Sequence, residues 1–330
     1  MDQILGQSSA VAQLQAALAA DRLAHGFIFH GPAGVGKFTT ALIFSKQLLC
    51  NSPTTDLTGA GVACDTCESC RLFGPDGDAA AAHPDLHVIT KELAATSSVA
   101  ELRRRKQMNI PVDLVREHIV GGTTMDGKFH DAPAHTSSAL NHGKVFIIDE
   151  AELLAAEGQN AMLKTLEEPP SATHLFLITA SEDKLLPTIR SRCQRVAFGP
   201  LDDATVANWL AEHAPQIDGD QRDRLVTFAA GSLGRARLAI DWELDEWART
   251  VLGAVDAIAS GRTVADLGSR IAQRVGDFAE AWVKAHDGAS KEAANKRAAG
   301  LMWSMTAHHA RRQLPRRGDD EPQLEAWLSV

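Results

Sequence analysis

The chain has 330 residues, which at roughly 150 residues per domain predicts two or three domains. Its 33 Lys and Arg against 42 Asp and Glu give a net charge of −9, which excludes a globally basic, DNA-coating protein but not a local basic patch. Apolar residues make up 45% and charged residues 23%, a balance typical of globular proteins. No apolar run approaches the roughly 20 residues of a membrane helix, and the N-terminus lacks the features of a signal peptide, so we expect a cytoplasmic protein.

Short apolar runs alternate with helical patterns through the first 200 residues. Val11, Leu14 and Leu18 recur at helical spacing and predict an amphipathic helix over 7–20. Buried strands are predicted at 26–30, 86–89, 145–148, 174–178 and 196–198. Strand-sized apolar runs separated by helices predict an α/β fold with a parallel sheet that is covered on both faces.

Two regions depart from this alternation. Between about 72 and 140 lie an Ala run at 79–82, a basic cluster at 103–106 and a Gly, Thr and His-rich stretch at 121–142, which together predict loops or an insertion. After Pro200 helical patterns continue without strands, with a Gly-containing break at 231–234. We therefore expect a P-loop domain over 1–200, a small helical domain over 201–243 and a second helical domain over 244–330.

The segment from Gly31 to Lys37 has the spacing of a P-loop and stands between a predicted strand and a predicted helix. Gly31, Gly34 and Gly36 would let backbone N–H groups turn toward phosphate oxygens, and Lys37 could reach the outer phosphates. The alternative, an ordinary Gly-rich turn, is disfavoured because both flanking elements and the lysine fit a P-loop.

The residue after the P-loop lysine departs from the motif. A Ser or Thr hydroxyl normally binds Mg²⁺ there, but this chain has Phe38, with Thr39 one residue later. One residue turns a helical side chain by about 100°, so Thr39, which stays a candidate nucleotide-binding residue, does not simply replace the hydroxyl. We expect phosphate binding with weak or absent ATP hydrolysis.

Two acids follow the strand predicted at 145–148. Asp149 is a candidate ligand of Mg²⁺, and Glu150 a candidate to polarise the attacking water. Acids at strand ends are common, but the P-loop in the same chain favours the catalytic interpretation.

Four cysteines, Cys50, Cys64, Cys67 and Cys70, form a compact spacing. Four thiolates can enclose one tetrahedral Zn²⁺ and leave no position for water, which predicts a structural site. The alternative is four free buried thiols. Cys193 lies far away in the sequence and is expected to be an ordinary side chain.

Basic residues suggest two further contacts. Arg190 and Arg192 could belong to a solvated basic turn. Alternatively, an arginine here could be exposed at a subunit edge and stabilise charge on the γ-phosphate of a neighbour, and the sequence pattern does not choose between the two. The cluster at 103–106 is the candidate for contact with DNA phosphates, although a solvated loop is the more common outcome for such a cluster.

Together these features resemble the AAA+ clamp-loader family of bacterial DNA polymerase III. The resemblance covers most of residues 1–240, and its motifs are 4–7, 31–37, the four cysteines, 83–85, 144–152, 160–170, 191–193 and 231–236. It implies an AAA+ domain with an inserted zinc module at about 50–70, a helical lid and a helical C-terminal collar.

The resemblance also implies roles for single residues. Arg192 would be an arginine finger offered in trans, and Arg235 would occupy the sensor-2 position. Thr179 or Ser181 would lie in the sensor-1 region. The collar would join this chain with gamma or tau motor subunits and a delta subunit in a pentameric ring that acts on a sliding clamp and primed DNA.

Within that family the expected role is a stator that hydrolyses little ATP itself. Two alternatives stay open at this point: an active Mg²⁺-dependent motor subunit of the gamma or tau type, and a non-catalytic interaction module with a vestigial P-loop.

Overall fold

A computed structural model describes residues 4–20, 22–55, 61–73, 83–104, 108–140, 142–285 and 290–313. The chain forms two compact units, residues 1–200 and 201–330. The expected division into three domains, with a boundary between 243 and 244, stays a prediction. The Ala run at 79–82 lies outside the described residues.

Parallel strands form the centre of the first unit. The described strands are β1 (Gly26–His30), β2 (Thr54–Thr55), β3 (Gly61–Val62), β4 (Leu86–Ile89), β5 (Gly122–Thr123), β6 (Phe129–His130), β7 (Lys144–Ile148), β8 (Thr173–Thr179) and β9 (Gln194–Ala197). Five of them form one parallel sheet in the order β4-β7-β8-β1-β9, while β2 with β3 and β5 with β6 form antiparallel pairs. The predicted α/β class with a parallel sheet is confirmed.

The first unit has seven described α-helices. They are α1 (Ser8–Ala19), α2 (Lys37–Leu48), α3 (Glu68–Leu72), α4 (Ala100–Arg104), α5 (Val112–Val115), α6 (Ala156–Glu167) and α7 (Pro187–Arg190). All of them except α3 contribute side chains to the cores on the two faces of this sheet. Besides β4, which matches the strand predicted at 86–89, the irregular stretch of the sequence contains the short helices α4 and α5, a π-helical segment at 116–120 and the β5–β6 hairpin. It is therefore more ordered than the predicted loops.

Alternate residues of each central strand enter two separate cores. On one face of β1, Phe27 and Phe29 pack with Phe176 of β8, and the Phe27 and Phe176 rings stack with centroids 5.1 Å apart. On the other face, Ile28 packs with Phe146 of β7. Both faces are apolar because helices cover both, which explains the uninterrupted apolar runs in the sequence.

The second unit is helical, as expected for the C-terminal region. Its described helices are α8 (Asp203–His213), α9 (Gly219–Ala229), α10 (Leu233–Asp241), α11 (Asp245–Ala259), α12 (Leu267–Ala285) and α13 (Lys291–Gln313). Asp202, Asp218 and Ser232 cap α8, α9 and α10 by accepting backbone N–H groups. Among the described helices, none has both the length and the apolar character that a bilayer crossing requires.

Candidate functional site

The loop between β1 and α2 has the backbone shape of a phosphate cradle. Gly31, Gly34 and Gly36 have φ angles of +134°, +73° and +98°, values that glycine adopts without strain. A Cβ atom on Gly31 would lie 2.1 Å from the carbonyl oxygen of Phe198, so this position also requires the absence of a side chain. The loop leads into the first turn of α2, and the N-terminus of a helix favours an anion.

Lys37 is directed into this loop. Its side chain is buried, and its Nζ donates to the carbonyl oxygens of Gly31 at 2.7 Å and of Pro32 at 2.5 Å. Burial lowers the pKa of Lys37, and the nearby carboxylates of Glu152 and Asp149 act in the opposite direction. The structure therefore places one cation beside two acids and the glycine loop.

The side chains after Lys37 differ in burial and in hydrogen bonding, and the predicted nucleotide-binding role of Thr39 stays a prediction. Phe38 is half-buried and packs against the core that contains Phe27 and Phe29, and Thr39 is exposed. The buried Thr40 hydroxyl donates to the Gly36 carbonyl at 2.8 Å and so belongs to the start of the helix. Lys37 thus contacts the start of the loop and Thr40 its last residue.

Asp149 and Glu150 leave the end of β7 in different directions. Asp149 is half-buried, and burial raises the pKa of its carboxyl, while the Glu150 N–H and the Lys37 charge lower it. Glu150 has a left-handed backbone with φ +51°, and its exposed carboxylate pairs with Lys91. The predicted pair is therefore split, with Asp149 near Lys37 and Glu150 held by a different lysine.

Glu152 is a site residue that the sequence analysis missed. Its Oε1 accepts the backbone N–H of Ala180, just beyond β8, at 3.2 Å. Its Oε2 is buried and has no hydrogen-bond partner among the described residues. Of the acids near Lys37, Glu152 has the largest electrostatic effect on the lysine pKa. A third acid so soon after β7 was the available signal, but its direction depends on the turn at Glu150.

The positions expected to act as sensors lie in different units. Thr179 is buried at the end of β8, and its hydroxyl accepts the N–H of Ser181 at 3.0 Å. Because β1, β7 and β8 are parallel, Thr179 lies at the same sheet edge as the P-loop and Asp149. Arg235 is half-buried on α10 of the second unit, where burial lowers the pKa of its guanidinium.

Arg192 lies just beyond α7 at the surface of the first unit. Its Nη2 contacts Glu167 Oε1 at 2.6 Å, and its Nη1 donates to the Thr188 carbonyl at 3.0 Å. Its side chain is 34% exposed, whereas Arg190 is half-buried and its buried Nε has no hydrogen-bond partner in the described part of the chain. Arg192 is therefore accessible from solvent and not part of the core.

The four cysteine sulfurs meet in one cluster, as the spacing predicted. The Sγ atoms of Cys50, Cys64, Cys67 and Cys70 all lie within 4.8 Å of one another, and those of Cys50 and Cys67 are 3.9 Å apart. A tetrahedral zinc site with Zn–S bonds of about 2.3 Å requires S–S separations of about 3.8 Å. The cluster could therefore hold a metal ion.

Backbone N–H groups donate to three of the four sulfurs, while burial raises the pKa of the Cys50 and Cys70 thiols. The N–H of Cys64 donates to Cys50 Sγ at 3.3 Å, that of Cys67 to Cys64 Sγ at 3.3 Å and that of Cys70 to Cys67 Sγ at 3.4 Å. Backbone donors at Thr66 and Cys67 lower the pKa of Cys64 to about 6, which favours the thiolate that binds metal. By contrast, burial raises the pKa of Cys193 to about 12.

Ser69 and His83 attach the cysteine cluster to the sheet. Ser69 Oγ donates to the Leu49 carbonyl at 2.6 Å and lies 2.9 Å from His83 Nε2. The Asp85 N–H donates to His83 Nδ1 at 3.1 Å, so Nε2 carries the proton and donates to Ser69. The Asp85 carboxylate accepts the N–H groups of Ala139 and Leu140. The histidine and aspartate of the 83–85 motif thus have structural partners.

The basic cluster is only partly described. Arg103 donates to the carbonyls of Ser97 at 2.5 Å and Ser98 at 3.1 Å. Arg105 and Lys106 lie outside the described residues. The predicted contact with DNA phosphates stays a prediction.

Comparison with known proteins identifies the family. The model of the family described as DNA polymerase III, delta subunit, matches residues 6–202. The chain belongs to this family. The delta-prime subunit of Pseudomonas aeruginosa is 34% identical over 210 residues, which are 63% of this chain and 53% of that protein. The family resemblance drawn from the sequence motifs is thereby confirmed.

Other relatives include both delta-prime and motor subunits. The delta-prime subunit of Escherichia coli is 28% identical over 71% of this chain and 59% of that protein. The gamma/tau subunit of Mycobacterium tuberculosis is 30% identical over 72% of this chain and 36% of that protein. The chain thus matches less than two thirds of the length of each of these relatives.

Proposed function

We propose that this chain is a delta-prime-type stator of a bacterial clamp loader. It offers Arg192 in trans to the ATP site of a neighbouring subunit while a sliding clamp is loaded onto primed DNA. The exposed position of the Arg192 guanidinium beyond α7 carries this proposal, because a finger must be reachable by another subunit's phosphate. Membership of the DNA polymerase III delta subunit family supports the proposed place in a clamp loader.

The nucleotide site of the chain itself fits binding better than hydrolysis. The glycine conformations, Lys37 and Asp149 are suited to phosphates and Mg²⁺. The position that would supply the metal-binding hydroxyl holds Phe38, and Glu150 is paired with Lys91. In this proposal ATP can bind, and turnover by the isolated chain is weak or absent.

Zinc is the proposed metal of the cysteine cluster. Four sulfur ligands at these separations satisfy tetrahedral Zn²⁺ and leave no coordination position for water or substrate. The ion would stabilise the segment between Cys50 and Cys70, and the hydrogen bond between Ser69 and His83 would connect that segment to the sheet.

The proposed partners follow from the family. Gamma or tau motor subunits would flank this chain in a hetero-pentameric ring that includes delta. Residues 201–243 would form the lid, with Arg235 as sensor 2, and residues 244–330 would form the collar. Names of relatives such as delta-prime and gamma/tau support a place in the same assembly.

Substitution of the proposed finger tests the role in trans. We expect Arg192→Ala to reduce the ATPase rate of the reconstituted clamp loader by about 10³-fold or more. Arg195→Ala is the matched control, because Arg195 is also exposed and also paired with a glutamate, with its Nε 2.9 Å from Glu182 Oε2. Equal ATPase rates for Arg192→Ala and the unsubstituted assembly would refute the finger.

An active motor subunit is the second candidate function. The 30% identity with a gamma/tau subunit and the proximity of Asp149 to Lys37 favour it. This candidate predicts Mg²⁺-dependent ATP hydrolysis by the purified chain and loss of that activity in Lys37→Ala. Hydrolysis that is absent, or that survives Lys37→Ala, would favour the stator.

A further inference from the structure

The environment of Arg192 suggests how the finger is controlled. Glu167 is the last residue of α6, where the negative end of the helix dipole disfavours a second negative charge. The Arg192 guanidinium neutralises this carboxylate at 2.6 Å and is also tied to the Thr188 carbonyl. The arginine that would serve a neighbour is therefore already engaged by an acid of its own chain.

The ion pair between Arg192 and Glu167 is weak enough for another anion to replace Glu167. The Arg192 side chain is 34% exposed and the Glu167 side chain 49%, so water reaches both partners. Exposed pairs of this kind contribute about 0.2–1 kcal/mol, because solvent screens the charges and both side chains lose rotamer freedom. A phosphate group carries more charge than a carboxylate and binds arginine through two parallel hydrogen bonds, so it competes effectively.

We propose that Glu167 is the resting acceptor of Arg192 and is replaced by the γ-phosphate of ATP on the neighbouring subunit. This inference rests on the proposed role of Arg192 in trans. While Glu167 holds the guanidinium, the net charge of the pair is zero, and the finger contributes little to the neighbour. Nucleotide with a γ-phosphate shifts Arg192 away from Glu167, whereas ADP lacks the competing group.

The test measures how strongly the γ-phosphate strengthens association. The full chain is titrated against the purified motor subunit of the same organism, loaded with either a slowly hydrolysed ATP analogue or ADP. The ratio of the Kd with ADP to the Kd with the analogue reports the contribution of the γ-phosphate. We expect Glu167→Gln to raise this ratio by about 1.5- to 5-fold, the equivalent of losing an exposed ion pair.

Glu168→Gln is the matched control. It removes the same charge from the next residue, which is also exposed and forms no ion pair among the described residues. We expect it to leave the ratio unchanged, and we expect Glu167→Gln to have no effect when combined with Arg192→Ala. An equal effect of the two glutamine variants would overturn the specific role of Glu167.

The outcomes separate this inference from the function on which it rests. Arg192→Ala alone should reduce the ratio to about one. If Arg192→Ala reduces the ratio but Glu167→Gln leaves it unchanged or lowers it, the resting-acceptor role of Glu167 is wrong, and the role of Arg192 in trans is still supported. If Arg192→Ala leaves the ratio intact, the finger is wrong and the role of Glu167 is wrong with it.

Discussion

Alanine at Gly31 should destabilise the first unit strongly. Its Cβ would lie 2.1 Å from the Phe198 carbonyl oxygen and 3.0 Å from the Phe198 carbonyl carbon. These backbone atoms cannot move away easily, because the Phe198 N–H donates to the backbone carbonyl of His30 at 2.8 Å and the Phe198 ring packs against Phe29. Overpacking costs about 1–3 kcal/mol and a disfavoured backbone angle about 1–3 kcal/mol more. We therefore expect a loss of about 2–6 kcal/mol, a large share of the 5–15 kcal/mol typical of a domain.

Gly36→Ala separates the two contributions. Gly36 also has a positive φ, +98°, but a Cβ there would meet no atom of the described residues within 4 Å. Only the backbone strain of about 1–3 kcal/mol applies to this variant. Equal destabilisation by the two alanine variants would refute the proposed clash with Phe198, as would a change of less than about 0.5 kcal/mol in Gly31→Ala.

The distribution of tryptophan allows the two units to be followed separately. All six tryptophans lie at position 209 or later, so their fluorescence reports on residues 201–330. Circular dichroism in urea reports on both units. A loss of about 3 kcal/mol at an m-value of about 2 kcal/mol per M would lower the midpoint of the first unit by about 1.5 M. The fluorescence midpoint should not move.

Two further predictions concern metal and pH. Zinc analysis should find one ion per chain, and chelation or Cys64→Ser should lower the dichroism midpoint of the first unit but not the fluorescence midpoint; an unchanged dichroism midpoint would contradict a structural metal. Burial lowers the pKa of His87 from 6.5 to about 4. Since the unfolded chain binds the proton more tightly, His87 stabilises the fold above pH 6.5, and this contribution is lost as the pH falls toward 4. The loss should be about 2 kcal/mol after allowance for partial exposure. His87→Phe, which keeps a ring against Phe146, should flatten this part of the stability profile measured by dichroism; an unaltered profile would assign the pH dependence to other groups.

Much of the first unit could be predicted because its signals are local. Apolar runs such as 26–30 and 145–148 must be buried on both faces, and this requires a covered parallel sheet. The P-loop spacing placed Gly31 just after β1 and Lys37 at the start of α2, as the structure has them. The cysteine spacing predicted a cluster whose four sulfurs do meet.

The orientation of the acids after β7 could not be predicted in this way. Asp149 and Glu150 are adjacent in sequence, yet a left-handed backbone at Glu150 turns its carboxylate toward Lys91. The same turn brings Glu152 near Lys37, and its place soon after β7 does not by itself distinguish Glu152 from a solvated acid. Sequence spacing gives the order of these side chains but not their directions.

The sequence by itself determined the strands of the parallel sheet, the position of the glycine loop and the sulfur cluster, because periodicity and local chemistry are properties of neighbouring residues. Only the tertiary structure decided which distant groups meet: Glu167 with Arg192, Ser69 with His83, and Glu152 with the end of β8. These contacts depend on how strands and helices pack against one another. Packing brings together residues that no spacing rule relates.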